Sequence, residues 1–138
     1  MIYSYLTFNG NCRVAMTFYQ QCLGGELVIQ TVGESPMSEK MPARMKGLVL
    51  QATLTNGGLA LMGSDMVPET GLIRGNAVAL MLNADNEQQL TKWFKKLSAG
   101  GQVIHFLQQN YWGALFGGLT DRFGNNWLLN YNKNEQDY

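Results

Sequence analysis

The chain has one histidine, two cysteines and three prolines among 138 residues, and its ten basic side chains balance ten acidic ones to a net charge of zero. Each scarcity excludes something. With a single histidine, one subunit cannot supply the two-histidine, one-carboxylate triad of Fe(II) oxygenases, nor a zinc site built on two or three histidines. Without a basic excess or a clustered basic stripe, a nucleic-acid surface is not expected. Lys92, Lys95 and Lys96 read more simply as the solvated side of a helix. No apolar run approaches the roughly 20 residues that cross a bilayer. The opening stretch MIYSYLTF also lacks the basic region and cleavage pattern of a secretory signal. The expected location is therefore cytoplasmic, with neither membrane nor nucleic acid as partner. Cys12 and Cys22 fall at the two ends of one expected helix. Their Cα atoms would lie about 15 Å apart at ~1.5 Å of rise per residue, too far for a disulfide. They read as small packed side chains or exposed thiols. No G-x-S-x-G elbow, phosphate-cradling loop or C-x-x-C pair occurs, so covalent hydrolysis, phosphate binding and zinc-ribbon chemistry have no positive signal.

What is present is a pattern written twice. Asn11 precedes Ala15, Phe18, Tyr19 and Cys22, and Asn86 precedes Leu90, Trp93, Phe94 and Leu97. Both runs have the spacing of an amphipathic helix behind an Asn cap, which predicts helices over 11–23 and 86–98. Gly24-Gly25 stops the first and, one residue out of step, Gly100-Gly101 the second. Strands are expected over 2–8, 26–32, 48–54 and 59–62, then over 77–82, 102–108, 112–119 and 127–131, with hairpin turns at Asn56-Gly57 and Phe123-Gly124. Each half thus reads βαβββ: module one over 1–66, a linker over 67–75 broken by Pro68, Gly71 and Gly75, module two over 76–131, and a frayed tail over 132–138, all within one domain. A four-stranded sheet with one helix buries only one face. Pairing two such modules predicts an α+β fold of eight mainly antiparallel strands around a concave cavity that would take a small molecule. The segment 33–46, with Met37, Met41 and Met45 at four-residue intervals, has no counterpart in the second half. It reads as a short turn packing its methionines, or as an apolar lid.

Several stretches resemble the PhnB-like branch of the vicinal oxygen chelate superfamily, which includes glyoxalase I and the bleomycin-resistance proteins. They are Tyr5 to Cys12 with Ala15, Phe18-Tyr19 and Leu23-Gly24-Gly25; Leu61-Met62-Gly63-Ser64-Asp65; and Trp93-Phe94, Leu97, Gly100-Gly101, Trp112-Gly113 and the ending Asp121-Arg122-Phe123-Gly124 through Trp127-Leu128-Leu129-Asn130. The resemblance spans nearly the whole chain. It implies paired βαβββ modules, a homodimer and a small-molecule cavity. Members of this branch are also called demethylubiquinone methyltransferase-like, but no glycine-rich S-adenosylmethionine loop follows a strand here.

Metal-dependent members of the superfamily take ligands from the first and last strands of each module. Counting four residues beyond the turn glycines Gly124 and Gly57 gives Leu128 and Leu61; the other positions fall between Tyr3 and Tyr5 and near Val78 or Ala79. None is a histidine or carboxylate, so no metal and no other cofactor is expected. An all-oxygen site drawing on Asp65, Glu69 or Gln51 would be the alternative, and would make the protein a divalent-metal enzyme of lyase, isomerase or dioxygenase type with atypical ligands.

The candidate ligand-binding residues are Tyr5, Gln51, Asp65, His105 and Trp112. Tyr3, Tyr5 and Thr7 alternate with Leu6 and Phe8, so their hydroxyls line the cavity or form a structural aromatic row. Leu48, Leu50, Ala52 and Leu54 are expected to face the helix, which turns Gln51 and Thr53 the other way. Relatives often carry a histidine where Gln51 stands, and this departure puts inherited chemistry in doubt. Asp65 follows a strand, where it caps a turn or binds a ligand. Simple alternation puts His105 on one face with Val103 and Leu107, as a sheet-surface residue or an acid–base group. Trp112 stacks on a ligand or fills core.

Overall fold

Glycine stops and strand alternation place the elements close to where the pattern puts them. The computed structural model describes residues 2–36, 38–111 and 113–132. Met37, Trp112 and the tail from residue 133 onward lie outside the described residues. Among the described residues there are eight strands and two α-helices, in the order β1 (Ser4–Thr7), α1 (Cys12–Leu23), β2 (Glu26–Thr31), β3 (Val49–Asn56), β4 (Leu59–Ser64), β5 (Leu80–Asn83), α2 (Glu87–Ser98), β6 (Gln102–Gln109), β7 (Ala114–Thr120) and β8 (Asn126–Asn132). They form two four-stranded sheets, ordered β1-β4-β3-β2 and β5-β8-β7-β6. Each is mixed and open: β1–β4 and β5–β8 pair in parallel, the remaining neighbours antiparallel. The architecture is α+β, twice βαβββ. No helix among the described residues is long and apolar enough to cross a membrane.

The chain divides into compact units Met1–Ile73 and Arg74–Tyr138, a boundary inside the expected linker. Arg74 joins the second unit because its guanidinium donates to Asn125 Oδ1 at 3.0 Å. The Asn126 side-chain amide donates to the carbonyls of Gly75 and Val78 at 3.4 and 3.3 Å.

Each sheet is covered on one face by its own helix. From α1, Ala15, Met16, Tyr19 and Cys22 are buried; from α2, Leu90, Phe94 and Leu97. Two glycines mark the covered sides. A β-carbon at Gly63 of β4 would lie 3.0 Å from Met16 Sδ and 3.1 Å from Cys12 Sγ. At Gly117 of β7 it would lie 2.8 Å from Phe94 Cε2 and Leu107 Cδ2. Gly63 pairs with Leu6 and Ala52, and Gly117 with Leu129, so these rows face the helices.

The two helices start differently. Asn86 caps α2 as its position predicts, accepting from Gln89 N at 2.8 Å, while Gln89 Oε1 accepts from Asp85 N at 2.8 Å. The Asn11 side chain makes no cap bond to α1; Asp65, 53 residues away in sequence, accepts from Cys12 N at 3.0 Å. A distant carboxylate satisfies the same orphan donor and also attracts the positive end of the helix dipole.

The second glycine of each Gly-Gly pair is required by closeness. A β-carbon on Gly25 would overlap the Thr55 carbonyl oxygen, and one on Gly101 the Thr120 carbonyl oxygen. These threonines occupy matching places in the two modules, since Leu54 pairs with Leu61 and Leu119 with Trp127. The connection after β2 is a string of short 3-10 turns, Val32–Glu34, Ser38–Lys40 and Ala43–Met45. It is tied back by Gly33 N to Lys46 O at 2.9 Å and Leu48 N to Met45 O at 3.0 Å, and Met41 and Met45 are half-buried.

Backbone has no rotamer with which to yield. Gly101→Ala is therefore expected to destabilise the protein by about 3 kcal/mol, whereas Gly47→Ala, with open space around the site, should stay within about 0.5 kcal/mol. Urea unfolding midpoints of the two variants check this, and equal midpoints would refute the close approach.

Candidate functional site

The face of each sheet away from its helix is where polar and adaptable side chains collect. In the first sheet the register carries one row across four strands, Tyr5–Met62–Thr53–Val28. Tyr5 and Val28 are 55% and 59% exposed although Val28 is wholly apolar, so this face is not packed as core. Gln51 pairs with Gln30 in the next row on the same face, and both are exposed. Strand alternation thus puts Tyr5 and Gln51 on the same face of the sheet, as Ala52 and Leu54 turn fully buried to the other side.

Asp65 is not on that face. It is buried, and both its oxygens are engaged by backbone: Oδ1 accepts from Gly10 N at 2.9 Å and Cys12 N at 3.0 Å, and Oδ2 from Val49 N at 2.8 Å. The motif Leu61-Met62-Gly63-Ser64-Asp65 is explained residue by residue. Leu61 fills core, Met62 faces the helix-free side and Gly63 makes room for two sulfurs. The Ser64 hydroxyl donates to Leu50 O at 2.8 Å, and Asp65 ties three segments together.

In the second sheet the matching row is Met81–Leu128–Gly118–His105. A β-carbon at Gly118 would sit 3.1 Å from Leu128 Cδ2 and 3.7 Å from His105 Cδ2, which places the imidazole beside Leu128 on the helix-free face. Sequence alternation had joined His105 to Val103 and Leu107. The register instead shifts between Val103 and His105 and again between His105 and Gln108, and Leu107 points to the helix side against Gly117. Two β-bulges reverse the parity around the histidine. In the neighbouring row Asn130 donates to Asn83 Oδ1 at 3.1 Å, with Phe116 beside it. Asp121, like Asp65, is spent on holding its own module together. It accepts from Phe123 N at 2.8 Å, Asn125 N at 3.1 Å and Trp127 Nε1 at 2.8 Å, which closes the β7–β8 hairpin over Gly124.

Registers also correct the positions at which a metal would be held. The residue matching Leu128 is Met62 rather than Leu61, since Tyr5 pairs with Met62 as Met81 pairs with Leu128. Leu61 pairs with Leu54 on the helix side. Val78 and Ala79 precede β5, whose corresponding residue is Met81. The first and last strands of the modules therefore offer Tyr5 with Met62 and Met81 with Leu128: a phenol, two thioethers and an alkyl group. Divalent Mn, Fe, Ni and Zn are held by imidazole and carboxylate, so these residues do not fit such an ion. Among the described residues no group of three His, Cys, Asp or Glu side chains gathers anywhere.

The model of the Glyoxalase/Bleomycin resistance protein/Dioxygenase superfamily matches residues 3–129. Protein YjdN of Escherichia coli (strain K12) is 32% identical, over 95% of each chain. The crystal structure of protein PA1353 from Pseudomonas aeruginosa superimposes with a TM-score of 0.84 at 38% identity, covering 96% of this chain and 97% of its own. The PhnB protein of Bacillus cereus superimposes at 0.73 and 26% identity, covering 94% and 98%.

Behind the helix-free face, Cys12 is fully buried, and burial, reinforced by the negative charge of Asp65, pushes its thiol up to about 12 from an ordinary 9.0. The unfolded chain gives up this proton first, so the folded state is at full strength below pH 9.0 and weakens as pH rises toward 12. Above pH 9 the wild type should lose about 1 kcal/mol per pH unit more than Cys12→Ala. Urea unfolding from pH 8.5 to 11 reads this difference, and parallel pH profiles would refute it.

Proposed function

The chain belongs to the glyoxalase/bleomycin resistance/dioxygenase superfamily, and we propose that it is a PhnB-like member that binds a small apolar or aromatic molecule without a resident metal. The observation that carries this reading is the donor chemistry of the paired strands: Tyr5–Met62 and Met81–Leu128 suit contact with carbon and sulfur surfaces, not a divalent cation. Thioethers adapt to varied shapes, and amides on the same helix-free faces, Gln51 in the first module and Asn83 and Asn130 in the second, suit hydrogen bonds to a ligand. Such a protein holds its ligand as a binding module, and the superfamily's metal chemistry is not needed for that.

Elemental analysis of protein purified without chelator separates this from the divalent-metal enzyme. Less than a tenth of an equivalent of Fe, Mn, Ni or Zn is expected after dialysis, and a stoichiometric metal would overturn the reading. In a thermal-shift screen, a compound that stabilises the wild type should protect Tyr5→Phe and Gln51→Ala less, by roughly 1 kcal/mol of binding each. Equal protection would remove both residues from the site.

The proposal includes a cytoplasmic homodimer. Sedimentation at micromolar concentration should then show a species of twice 15.4 kDa. A lone monomer would count against the dimer and leave the ligand reading standing.

A further inference from the structure

The helix-free faces of the two modules match row by row in register, and only the second carries an imidazole at the end of the matching row. Where the first sheet has Thr53 and Val28, the second has Gly118 and His105. Residues 26–30 of β2 pair with β3 one for one, and the shift comes only after Gln30. In β6 a shift lies on each side of the histidine. Bulges re-aim side chains, and these two bracket the chain's single histidine and turn it away from the helix. Gly118 has no side chain between His105 and Leu128, and both Leu128 Cδ2 and His105 Cδ2 lie within 4 Å of where its β-carbon would stand.

Among the described residues of the rows around His105, no carboxylate is placed to balance a proton on its ring. The rows beside it hold Phe116, Asn130 and Gln108 on one side and Thr120, Asn126 and Gln102 on the other, and none of these is charged or titrates near neutrality. Leu128 and Gly118 in its own row are apolar, and so are its chain neighbours Ile104 and Phe106. The lysines of α2 belong to the layer on the opposite side of the sheet. A protonated imidazole here would be a positive charge at the end of an apolar row.

We infer that the helix-free face of the second sheet is a site for an aromatic acid, whose ring lies along Met81 and Leu128 and whose single negative group pairs with protonated His105. This rests on the small-molecule reading above and adds the ligand's charge, its orientation and a pH dependence. The first module, with Val28 in the matching place, offers no such partner.

Two fluorescent probes of similar shape test it on the full chain: 1-anilinonaphthalene-8-sulfonate, which carries one sulfonate, and neutral N-phenyl-1-naphthylamine. Wild-type protein should bind the sulfonate roughly fivefold more tightly at pH 5.5 than at pH 8.5, the size of one partly screened ion pair, and the neutral probe equally at both. In His105→Gln the sulfonate's pH dependence should vanish while the neutral probe is unaffected. In His105→Arg, tight sulfonate binding should persist at both pH values. A pH dependence that survives in His105→Gln, or that the neutral probe shares, overturns the inference. Binding of the neutral probe alone also overturns it and leaves the proposed function intact. Failure of both probes to bind removes the aromatic site itself, and both readings fall.

Discussion

Three backbone N–H groups from two distant segments converge on the Asp65 carboxylate, and the geometry of the first module depends on that convergence. Gly10 and Cys12 belong to the entry into α1, Val49 to the start of β3, and Asp65 itself follows β4. One acceptor-only side chain therefore fixes where the helix begins relative to the two central strands. Without it the amide at the helix start would lose its partner, because Asn11 supplies none. The position of α1 decides which sheet face is core, and so which face retains Tyr5 and Gln51. The second module solves the problem with two separate devices. A local cap, with Asn86 accepting from Gln89 N and the Gln89 side chain from Asp85 N, starts its helix, and Asp121 organises the hairpin between its last strands.

Which parts of this were legible in the sequence follows from the range of the forces involved. The helices depend on local spacing and on glycines a few residues away, and both appear within a residue of their expected ends. The duplication was legible for the same reason, since turn glycines and apolar periodicity are local signals repeated about 75 residues apart. Strand parity was legible only where the ladder is regular. Gln51 lies in such a stretch and faces as alternation requires, opposite Ala52. His105 lies between two register shifts, and no local property of residues 102–109 announces a bulge. Counting from Gly57 missed Met62 by one position, which in a strand is a change of face. The capping role of Asp65 was out of reach because its partners are up to 55 residues away. Trp112 lies outside the described residues.

The two buried carboxylates also explain why the ending Asp121-Arg122-Phe123-Gly124 identifies the fold and is silent about chemistry. Asp121 gathers Phe123, Asn125 and the Trp127 indole, and Arg122 donates from Nε to Ala99 O at 3.0 Å, joining the hairpin to the end of α2. All of these bonds hold the architecture of the module together. A family resemblance carried by such residues transfers architecture, and the face that would hold a ligand is built from other positions.

Those other positions are free to change because the fold asks little of them. Leu54, Leu61, Leu119 and Leu129 are buried against the helices, where a change of volume costs stability. Tyr5 and Met81 are half exposed, and their contribution to folding is correspondingly small. A duplicated module can therefore keep its helix side and diverge on the other. Thr53 and Val28 in one copy and Gly118 and His105 in the other are such a divergence, made within the same strand order and pairings. The glycine and the bulged histidine differ together: removing a side chain at one position leaves room beside the ring at the other. A sheet face that loses one group and re-aims its neighbour has acquired a local polarity which the helix-covered side, packed as core, has no means to express.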